Sequence, residues 1–282
     1  EGSFNAASGA ALHFNGGSFS YGIAPALTGP GAIQLTGGSL ALVDDLLPNL
    51  ALVSGTITLG PNFQGGTITN LTLTAVTLSG TNTVSGTFNL AGGTAAGRLL
   101  VAAGATMNWT AGLASGPLTI ASNGVLNLIG GGGTVSLQSA LTNGGTVNWV
   151  SGQLAVQTCS GGGPIVNLAD GLWDIQGDRT LTANCAPGAN GYFQNVGTLR
   201  KSVGTGTTSW SIPLLNSGRV EVPQGIVALA GGLTQTIGTV QFGLSGLSSF
   251  GKITVSGNAT LGGTVSAIWL GGYVPALSNS FA

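Results

Sequence analysis

The residues able to act as acids and bases are few, and several gather in one stretch of the chain. Of the seven acidic residues, Asp170, Asp174 and Asp178 lie four residues apart, and Arg179 follows directly. Glycoside hydrolysis needs clustered carboxylates for its acid and base roles, and polysaccharide lyases combine bound Ca²⁺ with a basic residue. We expect these four side chains to meet at one end of a structural repeat. A solvated surface patch is the simpler interpretation, and a carbohydrate-binding or carbohydrate-active site is the alternative.

The remaining candidates for chemistry predict no catalytic, metal or cofactor site. His13 is the only histidine, and it has no acidic neighbour in the sequence. Asp44 and Asp45 lack the nonapeptide pattern of calcium-binding rolls. The glycine run at 130–134 is followed by neither a lysine nor a predicted helix, so it does not resemble a phosphate-binding loop. We therefore expect a non-enzymatic protein without cofactors.

The amino-acid composition limits the classes of partner that we expect for this chain. The 282 residues are 43% hydrophobic and only 5% charged, with 52 glycines and a net charge of -1. Six scattered Lys and Arg residues cannot neutralise a row of phosphates, so nucleic acid is not expected as a partner. Runs of apolar residues are interrupted well before the ~18 residues that a membrane-spanning helix requires, so no membrane insertion is expected.

One pattern of residues recurs along the chain. Residues 144–157, GGTVNWVSGQLAVQ, hold two short runs of alternating residues, VNW and LAV, with glycines between them. Alternation of period two is typical of a strand with one buried face, and glycine suits the corner between two strands. The same frame starts again at Ala11, Ala32 and Ile165, and the run centres always lie seven residues apart.

The repeats predict a right-handed, single-stranded parallel β-helix of about 13 coils, formed by one domain over residues 1–282. The steps between coils are mostly 17 to 21 residues, a period typical of solenoids. Leu27, Leu141 and Phe193 precede the first run by about six residues and predict a third side. The first-run centres are His13, Gln34, Ala51, Thr69, Asn89, Asn108, Asn127, Asn148, Asn167, Arg200, Glu221, Gln241 and Ser266.

Five consecutive first-run centres are asparagines that we expect to point outward: Asn89, Asn108, Asn127, Asn148 and Asn167. Identical amides on stacked strands can form a hydrogen-bonded ladder. A structural ladder is the simpler interpretation, and a binding face for a regular polymer is the alternative. The flanking apolar residues, such as Trp109 and Trp149, are expected in the core.

Residues 176–191 are expected to leave the regular coil as a corner excursion that contains Cys185. Cys159 and Cys185 both follow second runs of neighbouring coils, so we expect them at the same corner. Stacked corners lie about 5 Å apart, a separation that suits a disulfide. Such a bridge favours an oxidising compartment.

Residues 251–282, expected to form the terminal coils, include the string ATLGGTVSAIWLGGYVPALSNSF. This string resembles the closing coil of bacterial secreted β-helix proteins, such as autotransporter passengers and giant adhesins, and the Gly-, Asn- and Thr-rich coils before it are similar in texture. The resemblance implies an extracellular or cell-surface stalk, adhesin, matrix or filament component. Surface glycans and end-to-end copies of the chain are the expected partners. With no polar cap at either terminus, either the native chain continues past these ends or molecules stack.

Ice binding is a third possibility, because it would use a flat, regular threonine array. Thr-x-Thr occurs at 56–58, 67–69 and 72–74. Threonines do not recur at these positions in the later repeats, so we expect a structural role before ice binding.

Overall fold

The computed structural model describes residues 2–159, 162–185 and 191–281. It is an all-β solenoid of about 12 turns in which successive coils pair through parallel strands. The expected parallel β-solenoid is confirmed, and the third side predicted around Leu27, Leu141 and Phe193 is present because all three lie in strands.

Three parallel sheets, named A, B and C here, form the sides of the coil, and several long strands turn a corner and contribute to more than one sheet. The strands of sheet A are Ala11–Phe14, Ala32–Leu42, Leu50–Leu59, Ile68–Leu73, Thr81–Ala95, Thr106–Ala114, Val125–Leu137, Thr146–Val156, Leu172–Gln176, Thr198–Val203, Arg219–Val222, Thr239–Leu244 and Thr264–Trp269. Sheet B consists of Ser18–Phe19, the second parts of Ala32–Leu42, Leu50–Leu59, Thr81–Ala95, Thr106–Ala114, Val125–Leu137 and Thr146–Val156, and then Thr77–Ser79, Thr180–Ala183, Thr207–Trp210, Gly225–Leu229 and Gly251–Val255. Sheet C consists of the first part of Thr81–Ala95, followed by Arg98–Val101, Leu118–Ile120, Leu141–Asn143, Ile165–Asn167, Phe193–Asn195, Leu214–Asn216, Leu233–Gln235 and Ala259–Leu261.

Three elements stand outside these sheets. Ser3–Asn5 and Ala26–Thr28 pair with each other on the third side of the first coils. A short 3-10 helix, Phe63–Gly65, lies in the connection before Ile68–Leu73. Within the described residues, no helix is long and apolar enough to cross a membrane.

The interior is filled by apolar side chains that stack from coil to coil. Trp109, Leu128 and Trp149 are aligned in adjacent strands of sheet A and are fully buried, as the alternation predicts. Phe193 packs edge-on against both Trp173 and Trp210, with ring centroids 5.0 Å apart in each pair. These aromatic side chains are therefore core residues and not surface platforms.

Glycine is required at the stacked corners, where backbones pass too closely for a side chain. A Cβ at Gly197 would lie 2.2 Å from the carbonyl oxygen of Leu168 and 2.3 Å from that of Gly171. Both neighbours are backbone atoms, so neither can move aside as a side chain would.

The structure corrects the frame that starts at Ile165. Ile165–Asn167 belongs to sheet C, and Leu172–Gln176 is the following strand of sheet A. The matching strand of sheet B is Thr180–Ala183, which pairs with residues 153–156. The excursion expected over 176–191 is therefore wrong in its first half, since 180–183 are regular strand; residues 186–190 lie outside the described residues.

The predicted disulfide between Cys159 and Cys185 is confirmed, with their Cα atoms 5.7 Å apart. Val156 and Ala183 are register partners in sheet B, so both cysteines follow strands that end at the same corner. The hydroxyl of Thr158 donates to the carbonyl oxygen of Cys185 at 2.8 Å and joins the two segments beside the bridge.

Candidate functional site

An outer ladder of amides runs along sheet A. Asn108 donates to Asn89, Asn127 to Asn108, and Asn148 to Asn127, each from Nδ2 to Oδ1 at 2.9 Å. Asn89 in turn donates to the hydroxyl of Thr72 at 3.1 Å. The predicted ladder is thus present for these four asparagines, named the outer ladder here, whose polar groups bond mainly to one another.

Asn167 is not part of the outer ladder, which corrects the fifth predicted position. It is fully buried in sheet C, whereas the residue aligned with Asn148 in sheet A is Asp174. Asn167 belongs to a second, inward-facing column, named the inner ladder here. The inner ladder consists of Asn143, Asn167, Asn195, Asn216 and Gln235.

The inner ladder is hydrogen-bonded along its full length. Each of the four asparagine nitrogens donates to the side-chain oxygen of the next coil, at 2.7 Å from Asn143 to Asn167 and at 2.8 Å from Asn167 to Asn195. The next two bonds measure 2.8 Å, from Asn195 to Asn216, and 3.1 Å, from Asn216 to Gln235. All five side chains are buried.

The same nitrogens also satisfy backbone carbonyls at the corner between sheets C and A. Asn195 Nδ2 donates to the carbonyl oxygens of Arg219 at 3.0 Å and Gly197 at 3.2 Å. Gln235 Nε2 donates to the carbonyl oxygen of Gly262 at 2.7 Å. Because buried polar groups without partners are costly, the inner ladder lets these backbone corners be buried.

The sequence carries a signal for the inner ladder that alternation alone does not detect. Two of the corners read NVGTL from Asn195 and NSGRV from Asn216, with the amide two residues before the close-packed glycine. Earlier coils have Val84, Val101 and Ile120 at the same place. The column therefore changes from apolar residues to amides between Ile120 and the following coil.

Charged residues continue the outer column of sheet A beyond Asn148. Register aligns Asp174 with Arg200 and Arg200 with Glu221. Arg200 Nε donates to Asp174 Oδ1 at 3.1 Å. Gln176 Nε2 links the two parts of the column, because it lies 3.1 Å from Asp174 Oδ2 and 3.3 Å from Asn148 Oδ1.

Electrostatics at Asp174 favour its ionised form. Burial would by itself raise the pKa of the carboxyl, but hydrogen bonds from Arg200, Ser202 and Gln176, together with the charge of Arg200, lower the pKa below its usual range. The hydrogen bond to Asp174 raises the pKa of Arg200. A carboxylate held in this state is a poor proton donor near neutral pH.

A buried lysine holds Asp178 at the neighbouring corner. Lys201 Nζ donates to Asp178 Oδ1 at 2.6 Å, to the hydroxyl of Thr208 at 3.1 Å and to the carbonyl oxygen of Gly177 at 3.2 Å. Asp178 Oδ2 also accepts from the backbone N–H of Gly206 at 3.1 Å. The three protons of the ammonium group are all used, as a buried cation requires.

The structure thus pairs Asp174 and Asp178 with cations of the next coil and not with each other. Asp170 is exposed and makes no hydrogen bond or ion pair within the described residues. The Arg179 guanidinium donates to the carbonyl oxygens of Val150 and Gln176. The sequence interpretation missed Arg200 and Lys201, which lie one coil beyond Asp174.

Sheet B carries a column of hydroxyl residues on its outer face in the first coils. Ser18, Ser39, Thr56, Thr77 and Thr94 are successive register partners, and Ser39 donates to Ser18 at 3.1 Å. Of the three Thr-x-Thr motifs, the one at 56–58 lies in this column. The motifs at 67–69 and 72–74 belong to the stretch around Ile68–Leu73 in sheet A.

No cluster of three or more metal-ligating side chains occurs among the residues that the structure describes. Comparison with protein-family models, with curated proteins and with solved structures finds no match for this chain.

Proposed function

We propose that this chain is an extracellular structural or adhesive rod, used as a stalk, a matrix segment or part of a filament. The observation that supports the proposal is the presence of two separate ladders, the outer ladder in sheet A and the inner ladder in sheet C. Both ladders use their polar groups to join one coil to the next, and repeated bonds along the axis are what a load-bearing rod needs.

The disulfide supports the location. Cys159 and Cys185 are bonded, and such bridges persist mainly in oxidising compartments. The low charge and high glycine content match the secreted β-helix surface proteins that the closing coil resembles.

The last coil supports end-to-end assembly. Val265 is aligned with Val240, which is buried, yet Val265 itself is 62% exposed. Leu261, at the end of the last strand of sheet C, is 65% exposed. Apolar side chains at inward positions of an open coil favour coverage by a further coil, from the same protein or from a second copy.

Location and assembly can be tested separately. For location, intact producing cells are treated with a protease, and the free thiols of the recovered protein are titrated after unfolding without a reductant. We expect the protease to degrade the chain and the unreduced protein to contain no reactive thiol. Protection of the chain together with two reactive thiols would contradict the proposed location.

For assembly, sedimentation velocity over a range of concentrations compares the wild type with Leu261→Lys. We expect the wild type to associate and the variant to remain monomeric, because a lysine at the end face opposes burial of the open coil. Leu168→Lys is the matched control, since Leu168 is also exposed but lies on a side corner in the middle of the rod. Equal association of all three proteins would contradict end-to-end stacking.

A carbohydrate-active role is not favoured by the site geometry, because Asp174 is buried in an ion pair. Turnover of a polysaccharide that is lost in Asp174→Asn would overturn this view. An adhesive role predicts binding on a glycan array that Asp174→Asn leaves unchanged.

Ice binding is the second candidate, favoured by the hydroxyl column of sheet B. Thr77 lies in its middle, between Thr56 and Thr94. If the column binds ice, Thr77→Lys removes thermal hysteresis and Thr142→Lys, on sheet C, does not. Freezing of the wild type without hysteresis removes this candidate.

A further inference from the structure

A cavity of about 530 Å³, open to solvent on one side, lies among the first three coils. Three phenylalanines of the first coil, Phe4, Phe14 and Phe19, form one of its walls. Phe14 contacts the other two edge-on, with centroid separations of 5.6 Å to Phe4 and 5.1 Å to Phe19. Below this aromatic layer lie the register partners of the same three residues, which are Leu27, Leu35 and Leu40.

The cavity exists because the third side of the solenoid is interrupted at this level. After Ala26–Thr28, no described strand continues the third side until Thr81–Ala95. The chain from 43 to 49 passes there as a loop, from which only Leu47 points into the core. A missing strand leaves interior volume that the remaining side chains do not fill, whereas the central coils are filled by Trp109 and Trp149.

The mouth of the cavity is polar on one side. Ser20 and Tyr21 line it, together with Ile23, which is 61% exposed. The Tyr21 hydroxyl accepts a hydrogen bond from the backbone N–H of Val43 at 3.2 Å and can still donate its own proton. A ligand would therefore meet aromatic and aliphatic walls first, with Ser20 and the Tyr21 hydroxyl as its nearest polar partners.

The charges around the mouth disfavour an anion. Asp44 and Asp45 follow Val43, and burial, with a smaller contribution from these two carboxylates, raises the pKa of Tyr21. All six Lys and Arg residues occur at Arg98 or later in the sequence. At the spacing of stacked strands, the nearest of them lies at least roughly 14 Å away along the axis, where it cannot pair with a ligand.

We propose that this cavity binds a small, uncharged lipophilic molecule that contains an aromatic ring. Its volume lies within the range of small-molecule sites, and aromatic rings pack edge-on against phenylalanine walls. This assignment goes beyond the structural role proposed above and does not depend on it.

The test uses two fluorescent probes of one skeleton. Phenylnaphthylamine is neutral and lipophilic, and anilinonaphthalene sulfonate adds a negative charge. We expect phenylnaphthylamine to bind the wild type saturably with one site per chain, at least roughly tenfold more tightly than the sulfonate. It is also expected to raise the midpoint of thermal unfolding, because a ligand that binds only the folded state stabilises it.

Variants locate the site. Ile23→Asp places a charge at the mouth without disturbing a buried position, and we expect it to weaken phenylnaphthylamine binding by roughly tenfold. Ile237→Asp is the matched control, since Ile237 is also exposed and lies near the opposite end of the chain. Phe281→Ala tests the smaller apolar hollow beside Phe250 at that end. Neither variant is expected to change binding.

Five results would overturn the proposal. The first four are the absence of saturable binding, equal affinity for the two probes, loss of binding in Ile237→Asp or Phe281→Ala, and unchanged binding in Ile23→Asp. Probe binding that decreases as protein concentration rises would also overturn it, since a second copy would then occupy the cavity.

Discussion

Replacing Asn195 by alanine tests whether the inner ladder stabilises the rod. The Asn195 amide accepts from Asn167, and its two N–H protons are shared among three acceptors, which are Asn216 Oδ1 and the carbonyl oxygens of Gly197 and Arg219. Buried hydrogen bonds contribute about 1 kcal/mol each, and the groups left behind stay buried without a partner. We therefore expect Asn195→Ala to lower the free energy of unfolding by about 3 kcal/mol.

The matched control is Asn127→Ala in the outer ladder. Asn127 also bonds to an amide on either side, at 2.9 Å, but it is half-buried and water can replace its partners. We expect this change to cost less than about 1 kcal/mol. Comparing the stability losses of Asn195→Ala and Asn127→Ala separates the effect of burial from the effect of removing an amide.

Urea unfolding followed by tryptophan fluorescence measures both variants. Trp173 and Trp210 pack against Phe193, two residues from Asn195, so they report unfolding at the altered coil. An equal loss of stability in the two variants, or a loss below about 1 kcal/mol in Asn195→Ala, would refute the argument that burial makes the inner ladder important.

Three further predictions concern the corners and the ion pair. Gly197→Ala should prevent normal folding, because its Cβ would overlap two backbone carbonyls, whereas Gly132→Ala, with open space around it, should fold with unchanged stability; the yield of soluble protein and its circular dichroism spectrum decide this. Cys159→Ser with Cys185→Ser should lower the free energy of unfolding by about 3 kcal/mol, and a change near zero in urea unfolding would show that the bridge adds nothing. Asp174 has a lowered pKa in the folded state, so its stabilising effect is present above its unfolded pKa and is lost as pH falls through the folded pKa. Asp174→Asn should therefore melt below the wild type at pH 7 and approach it in acid, and a constant difference across pH would contradict the ion-pair interpretation.

Much of the fold could be predicted because neighbouring coils repeat the same residue type at the same place. Asn108 and Asn127 are 19 residues apart and bond directly, so a spacing in the sequence becomes a contact in space. The disulfide followed from the same reasoning, since both cysteines leave one corner. Where successive coils have similar lengths, residues one repeat apart in the sequence therefore occupy neighbouring positions on the same sheet.

The sequence does not show that Asn167 belongs to the inner ladder, because alternation of apolar and polar residues does not tell which side of the coil a strand occupies. Ile165–Asn167 alternates as Val147–Trp149 does, yet the first lies in sheet C and the second in sheet A. In the sequence frame the short strand of sheet C occupies the position of a first run, so Asp174 falls outside the column to which it belongs in the structure. The ion pairs were missed for the same reason, since aligning Asp174 with Asn148 would have put Arg200 next in line.

The outer column also limits how the rod could change length. Duplication of the coil that carries Asn127 would insert one more amide between two amides, and the outer ladder would close again around it. Loss of the coil that carries Arg200 would bring Asp174 beside Glu221 at the spacing of adjacent strands, about 4.8 Å, where two carboxylates repel. Gain or loss of whole repeats is therefore physically tolerated in the asparagine part of the rod and opposed in the charged part.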